Sequence, residues 1–226
     1  MMKTIFAALT ALLLAGTAQA APYDLRGFRL GMTLDEFRAM PHPDAAKYAS
    51  VDVLCTGDPG ADKVGGGSEL LVYGAIAKVG VVRCNHFRPH MIQSLAQQGS
   101  RDELPLDVAG IGVFQVYEFI PHPTDGTLRL FRISIRSNMR YWDQFWDAYT
   151  GKFGKPSKLK NDKVQNKLGG VFEKVTATWA NKESSITLEQ RTTAIDHMGI
   201  TYLHNDLGLH FLRQVEAIEG KPSSKL

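Results

Sequence analysis

Along the second half of this chain, apolar and polar residues alternate in short blocks that follow one another without a helix between each pair. Phe131, Ile133 and Ile135 alternate with Arg132, Ser134 and Arg136. Val175, Ala177 and Trp179 share one parity, as do Ile186 and Leu188, and then Ile200 and Tyr202. Alternation with period two marks a strand with one buried face. Parallel neighbours need a crossover of a dozen or more residues, so strands in direct succession pair antiparallel. Residues 112–120 and 128–136 read as a hairpin around 121–126, and Asn181-Lys182 as a further turn. Leu128 and Leu130 fall out of phase with Phe131, Ile133 and Ile135, which predicts a β-bulge near Leu130.

Helices punctuate these runs. Thr33 and Glu36 have the spacing of a capping box, and Met32 and Phe37 that of a hydrophobic staple. Pro41-His42-Pro43 closes that helix, because proline cannot donate the next backbone bond. Trp142, Phe145, Trp146 and Tyr149 lie at i, i+3, i+4 and i+7, an aromatic stripe on one helix face. Asn138 caps its start, and Gly151, Gly154 and Pro156 mark its end. Phe211, Val215 and Ile218 make a last amphipathic helix, and Met91, Ile92 and Leu95 suggest one more. Residues 51–84 read as strands around a loose loop at 57–67, and 25–30 as extended chain. The fold class expected is α+β: antiparallel sheet packed by two or three helices, with strands in consecutive runs. Residues 21–226 form one such domain, or two lobes at 21–100 and 101–226. Each half places a helix before strands, and Pro-His-Pro occurs at 41–43 and 121–123. Three residues carry little weight, and the reading goes against a duplication.

A hydrophobic content of 44% with 9% aromatics excludes a disordered chain. Residues 1–20 stand apart from the fold. Lys3 precedes an apolar run at 5–15, and Ala18-Gln19-Ala20 is an A-x-A cleavage site, so 1–20 reads as a signal peptide. The run is far shorter than the ~20 residues that span a bilayer. Gly74, Lys78 and Gly80 interrupt the longest later apolar stretch, so no transmembrane segment is expected in the mature chain. The expected location is periplasmic or secreted. Export makes the two cysteines interpretable: Cys55 and Cys84 each fall on the apolar face of a strand, which predicts a disulfide. The alternative is a reactive or metal-binding thiol. In the chain-entropy model such a bridge stabilises by ~3.5 kcal/mol.

Gly31-Met32-Thr33-Leu34-Asp35-Glu36-Phe37 resembles the helix start of small outer-membrane-assembly lipoproteins of the BamE/SmpA type. Phe153-Gly154-Lys155-Pro156, between an aromatic helix and a Trp-bearing strand, is similar to a segment of many uncharacterised periplasmic proteins. The resemblance implies a bacterial envelope protein.

Catalytic templates do not match. Gly65-Gly66-Gly67-Ser68 lacks both the G-K-[ST] ending of a phosphate loop and the G-x-S-x-G of a nucleophile elbow. Cys84, His86 and His90 mix two metal-ligand types, but zinc needs at least a third protein ligand, and a bridged Cys84 offers no thiolate. His86 and His90 are expected at the surface or as caps. His204, Asp206 and His210 form a second set in which Asp206 reads as a helix N-cap. Asp143 and Asp147 lie on the solvent face of the aromatic helix. No catalytic residue, metal or cofactor is expected.

Charge is the remaining signal. Residues 126–174 hold eleven basic side chains against four acidic ones. Arg129, Arg132, Arg136, Arg140, Lys152 and Lys155 are the candidate contacts for an anionic partner: a membrane surface, a glycolipid or an envelope protein. Nucleic acid is not expected. The function expected is an exported, non-catalytic binding or assembly module of the envelope. The alternatives are a periplasmic hydrolase or metal-dependent enzyme whose site forms only on folding, and an inhibitor acting through loop 57–67 or 157–170.

Overall fold

The computed structural model describes residues 21–64, 70–89 and 101–220. Residues 1–20, read as a signal peptide, Gly65 to Ser68, His90 and the helix expected at Met91 to Leu95 lie outside the described residues.

A small hairpin, β1 (Asp24–Leu25) and β2 (Phe28–Arg29), leads into α1 (Leu34–Ala39). The capping box closes as expected: Glu36 N–H donates to Thr33 Oγ1 at 3.2 Å, and Thr33 N–H donates to Glu36 Oε2 at 2.7 Å. Met32 and Phe37 are both buried. Next come β3 (Asp52–Cys55), α2 (Gly74–Lys78), β4 (Val82–Pro89), β5 (Arg101–Glu103), β6 (Leu106–Val108), β7 (Ile111–Pro121) and β8 (Leu128–Asn138). The second half runs α3 (Trp142–Phe153), β9 (Lys158–Gln165), β10 (Val171–Ala180), β11 (Ser184–Gln190), β12 (His197–His204) and α4 (Asn205–Glu219).

The main sheet has ten strands, all paired antiparallel, in the order β3-β4-β7-β8-β12-β11-β10-β9, with β5 beside β4 and β6 beside β7. The architecture is sheet-dominated rather than helix-packed, with 43% of the described residues in strands and 25% helical. Along the sheet path lie two groups of four, β3-β4-β7-β8 from before α3 and β9 to β12 from after it, and the groups meet through their last strands, β8 and β12. β5 and β6, off the path, and α2 belong to the first half alone. The repeated Pro-His-Pro does not track this relation. One copy follows α1, while the other sits in the β7–β8 turn.

A single row of residues crosses the sheet: Cys55, Cys84, Tyr117, Ile133, Tyr202, Ile186 and Trp179. All seven are buried, because strand registry places residues of like parity on one face. The β1–β2 hairpin, α1 and α3 cover this face. In α3 the fully buried stripe residues are Phe145 and Tyr149, while Trp142 and Trp146 pack at its margin. The Tyr149 and Tyr202 hydroxyls meet at 2.7 Å, and Trp179 Nε1–H donates to the Gly154 carbonyl at 2.8 Å. Cys55 and Cys84 form a disulfide with an S–S distance of 2.06 Å.

The bulge lies where the phase break placed it. Glu118 pairs with Arg132 and Phe119 with Leu130, leaving Phe131 as the extra residue. Leu130 thereby joins the α1 side, and Phe131 joins a second cluster with Phe211, Leu207, Ile120 and Val81 under α2 and α4.

Three expectations need correction. Residues 74–78, read as strand, form α2, since Ala75 and Ala77 favour helix and Ala75 is buried. The Lys-rich stretch read as a loop contains β9, an edge strand whose side chains are mostly exposed. Asp206 does not cap α4; the cap is His204, whose Nδ1 accepts from Leu207 N–H at 3.5 Å. Among the described residues no helix is long and apolar enough to cross a membrane.

Candidate functional site

Away from α2 and α4, no helix among the described residues covers the second face of the sheet. Thr178, Thr187, Thr201, Ser134 and Val116 form one register row there, all half-buried. At the β4–β7–β8 end this face deepens. Arg83, Glu118 and Arg132 are paired across three strands. Glu118 is only 2% exposed. It accepts from Arg83 Nε at 3.0 Å through one carboxylate oxygen and from Arg132 Nε through the other. Arg83 also donates to the Leu71 carbonyl at 2.8 Å. The Arg132 guanidinium lies over the Phe131 and Phe211 rings, 5.3 and 5.4 Å from their centroids. A buried carboxylate thus holds two guanidiniums in fixed positions, and the trio keeps one net positive charge.

These groups border a hollow of about 320 Å³ lined also by Glu103, Phe114, Gln115, Val116, Ser134 and Arg136, so that three guanidiniums face two carboxylates there. Arg132, Ser134 and Arg136 stand on one face of β8 and all reach it. The hollow adjoins a broader trough of about 980 Å³ that shares Glu103, Phe114 and Arg136 and extends to Arg88, Asp102 and His197.

The hollow owes its depth to a fork in the sheet. β4 and β7 pair only from Val82 to Cys84. Beyond that they part, β4 taking β5 and β7 taking β6. Asn85 and Gln115 fill the fork: Gln115 Nε2 donates to Asn85 Oδ1 at 3.0 Å, and Asn85 Nδ2 donates to the Gln115 carbonyl and to Glu103. The two side chains replace ladder bonds that the diverging strands cannot make.

The six basic residues expected to act together are divided between two sides of the sheet. Arg132 and Arg136 line the hollow. Arg129 pairs with Asp125 at 3.2 Å beside a separate hollow of about 160 Å³ that also holds His122, His204 and Asp206. His210 does not line it. Arg140, over the Tyr141 ring, Lys152, over the Phe153 ring, and Lys155 belong to the α3 layer on the opposite face. Asp143 and Asp147 are exposed on α3. Arg83 and Glu118 were missed, because nothing in the sequence relates residues 35 positions apart except the final registry.

A second concave region lies where α1 ends. His86, expected at the surface or as a cap, is wholly buried, and His42 is 2% exposed. Their ring centroids are 5.1 Å apart. Phe28, Phe37 and Tyr117 surround His86. Burial, reinforced by the neighbouring His42, pushes His86 down to about 4, and burial also pushes His42 below the ordinary imidazole value. His42 Nδ1 accepts from Asp44 N–H at 3.1 Å, while His42 Nε2 and both His86 ring nitrogens lack partners among the described residues. Both rings line a cavity of about 780 Å³ between residues 38–50 and β3. No group of three or more His, Cys, Asp or Glu side chains able to hold a metal occurs among the described residues.

Comparison with family models, curated proteins and solved structures gave no match.

Proposed function

We propose that this chain is an exported, non-catalytic binding module of the bacterial envelope, and that the open face of its sheet seats an anionic group of a partner. The observation that carries the reading is the Arg83–Glu118–Arg132 trio with Ser134 and Arg136 on the same strand face. Guanidiniums fixed by a buried carboxylate need no reordering when a ligand arrives, which removes much of the entropic cost of binding. Ser134 adds a hydroxyl donor between two cations. A hollow of about 320 Å³ suits one protruding carboxylate or phosphate. That favours an acidic envelope protein or a glycolipid over a flat anionic membrane. The leader at 1–20, the Cys55–Cys84 bridge and the resemblance of residues 31–37 support the envelope address.

The test is co-sedimentation of the mature protein with envelope extract and with phosphatidylglycerol vesicles at low and high salt. Arg136→Glu is expected to weaken capture from the extract by about tenfold at low salt. Lys152→Glu, on the opposite side of the sheet, should leave it unchanged. Binding that ignores salt, or that falls equally with both reversals, would refute the proposal.

A further inference from the structure

The cavity between α1 and β3 has a donor and acceptor pattern of its own, separate from the open sheet face. Because His42 Nδ1 accepts from the Asp44 backbone, the neutral ring carries its proton on Nε2. That N–H is a buried donor with no acceptor among the described residues. The same tautomer makes His42 a poor metal ligand, since ligating histidines donate their second nitrogen rather than accept through it. His86 beside it adds a lone pair on one ring nitrogen, while its N–H falls to the side of the Met40 carbonyl, with neither closing a full hydrogen bond among the described residues. The Met40 carbonyl lies close enough to favour the N–H form on its side. The remaining wall is mixed, with Met40, Pro41, Tyr48 and Val53 beside Ser50 and Asp52. Arg38 and Arg101 at the cavity wall are already engaged, with Asp58 at 2.9 Å and Asp52 at 3.1 Å.

We propose that this cavity binds an uncharged group presenting an acceptor beside a donor, as a carboxamide does. Its carbonyl oxygen accepts from His42 Nε2–H, and its N–H donates to the free nitrogen of His86. A bare carboxylate is excluded by the same surroundings, because its charge would be buried against two neutral rings. The carboxamide has two sources, a small molecule or an Asn or Gln side chain of an extended peptide. β3 is an edge of the main sheet. Thr56 N–H donates to the Arg83 carbonyl and Leu104 N–H to the His86 carbonyl. The alternation of the antiparallel ladder therefore turns the Val53 backbone groups away from β4, where an added strand would meet them.

The ring signals of His42 and His86 report occupancy in a carbon-13 NMR titration at pH 7. Butyramide should shift both saturably, and its acid counterpart butyrate should bind at least about tenfold more weakly. His42→Phe should abolish the butyramide shift at His86. The absence of a saturable shift, as for a cavity holding only water, overturns the assignment. So does butyrate binding as well as butyramide, a comparison that needs no variant. The peptide acetyl-Thr-Val-Gln-Val-Thr-amide and its Leu-for-Gln analogue separate the sources. Tighter binding of the Gln peptide than of butyramide, with slowed exchange of the Val53 amide, assigns an added strand. Equal behaviour of the two peptides beside butyramide binding assigns a small molecule.

Discussion

Acidification from pH 7 to pH 5 should destabilise this protein through His86 before any carboxylate is titrated. The ring is wholly buried among Phe28, Phe37, Tyr117 and His42, and its folded-state value falls to about 4. The unfolded value is about 6.5. The folded value lies below the unfolded one, so the unfolded chain binds the proton first. Stability is therefore complete above pH ~6.5 and drains away as pH falls toward 4. Linkage between these values gives a loss of about 2 kcal/mol from pH 7 to pH 5, and about 3 kcal/mol once both states are protonated. For a domain of this size that corresponds to a fall in Tm of roughly 4–8 °C by pH 5. His42 and His204 are shifted in the same direction by burial and add to the slope. Asp44, Asp125 and Glu36 are shifted down by hydrogen bonds, so their contributions drain away as pH falls through the ordinary carboxylate range and below it, mostly under about pH 5. Urea denaturation of wild type and His86→Phe at pH 7, 6 and 5 isolates the ring. The substitution keeps an aromatic shape in an aromatic cage and should remove about 2 kcal/mol of the pH 7 to 5 difference. Parallel pH profiles for the two proteins would refute the assignment of His86 as a buried neutral imidazole.

Other perturbations have separate readouts. Glu118→Gln leaves Arg83 and Arg132 without their shared carboxylate and should cost about 3 kcal/mol in urea denaturation, as for a broken buried pair. Replacing Cys55 and Cys84 together by Ala should cost ~3.5 kcal/mol at equilibrium, with unfolded, non-reduced wild type showing no titratable thiol. Thr33→Ala removes the hydroxyl that accepts from Glu36 N–H and should lower stability by about 1 kcal/mol, read as a shift of the denaturation midpoint.

The parts of the fold legible in the sequence are those written in local pattern. Alternation marked β8, β10, β11 and β12, the Thr33–Glu36 spacing marked α1, and the phase break at Leu130 marked the bulge. β9 left no such trace because neither of its faces is buried, so its side chains obey no apolar period. α2 is five residues long, too short for a helical period. The fork was invisible because β5 and β6 are three residues each and Asn85 and Gln115 acquire meaning only across strands. In the candidate site, Arg132 and Arg136 showed through their charge. Glu118 was lost among surface acids, and His42 passed for part of a helix stop. Burial of a polar side chain depends on what packs over it, and that is a tertiary fact.

The two ends of the ribbon, β3 and β9, decide how this molecule behaves when crowded with its own copies. β9 carries Lys158, Lys160 and Lys163, so two such borders brought together repel before their backbones can register. β3 is four residues long, and Asp58 caps Cys55 N–H, leaving too short a template to recruit a neighbour by itself. Concentrated solutions should therefore resist the stacking that open sheets invite. A ligand-sized guest at Val53 then enters without opening a route to fibres.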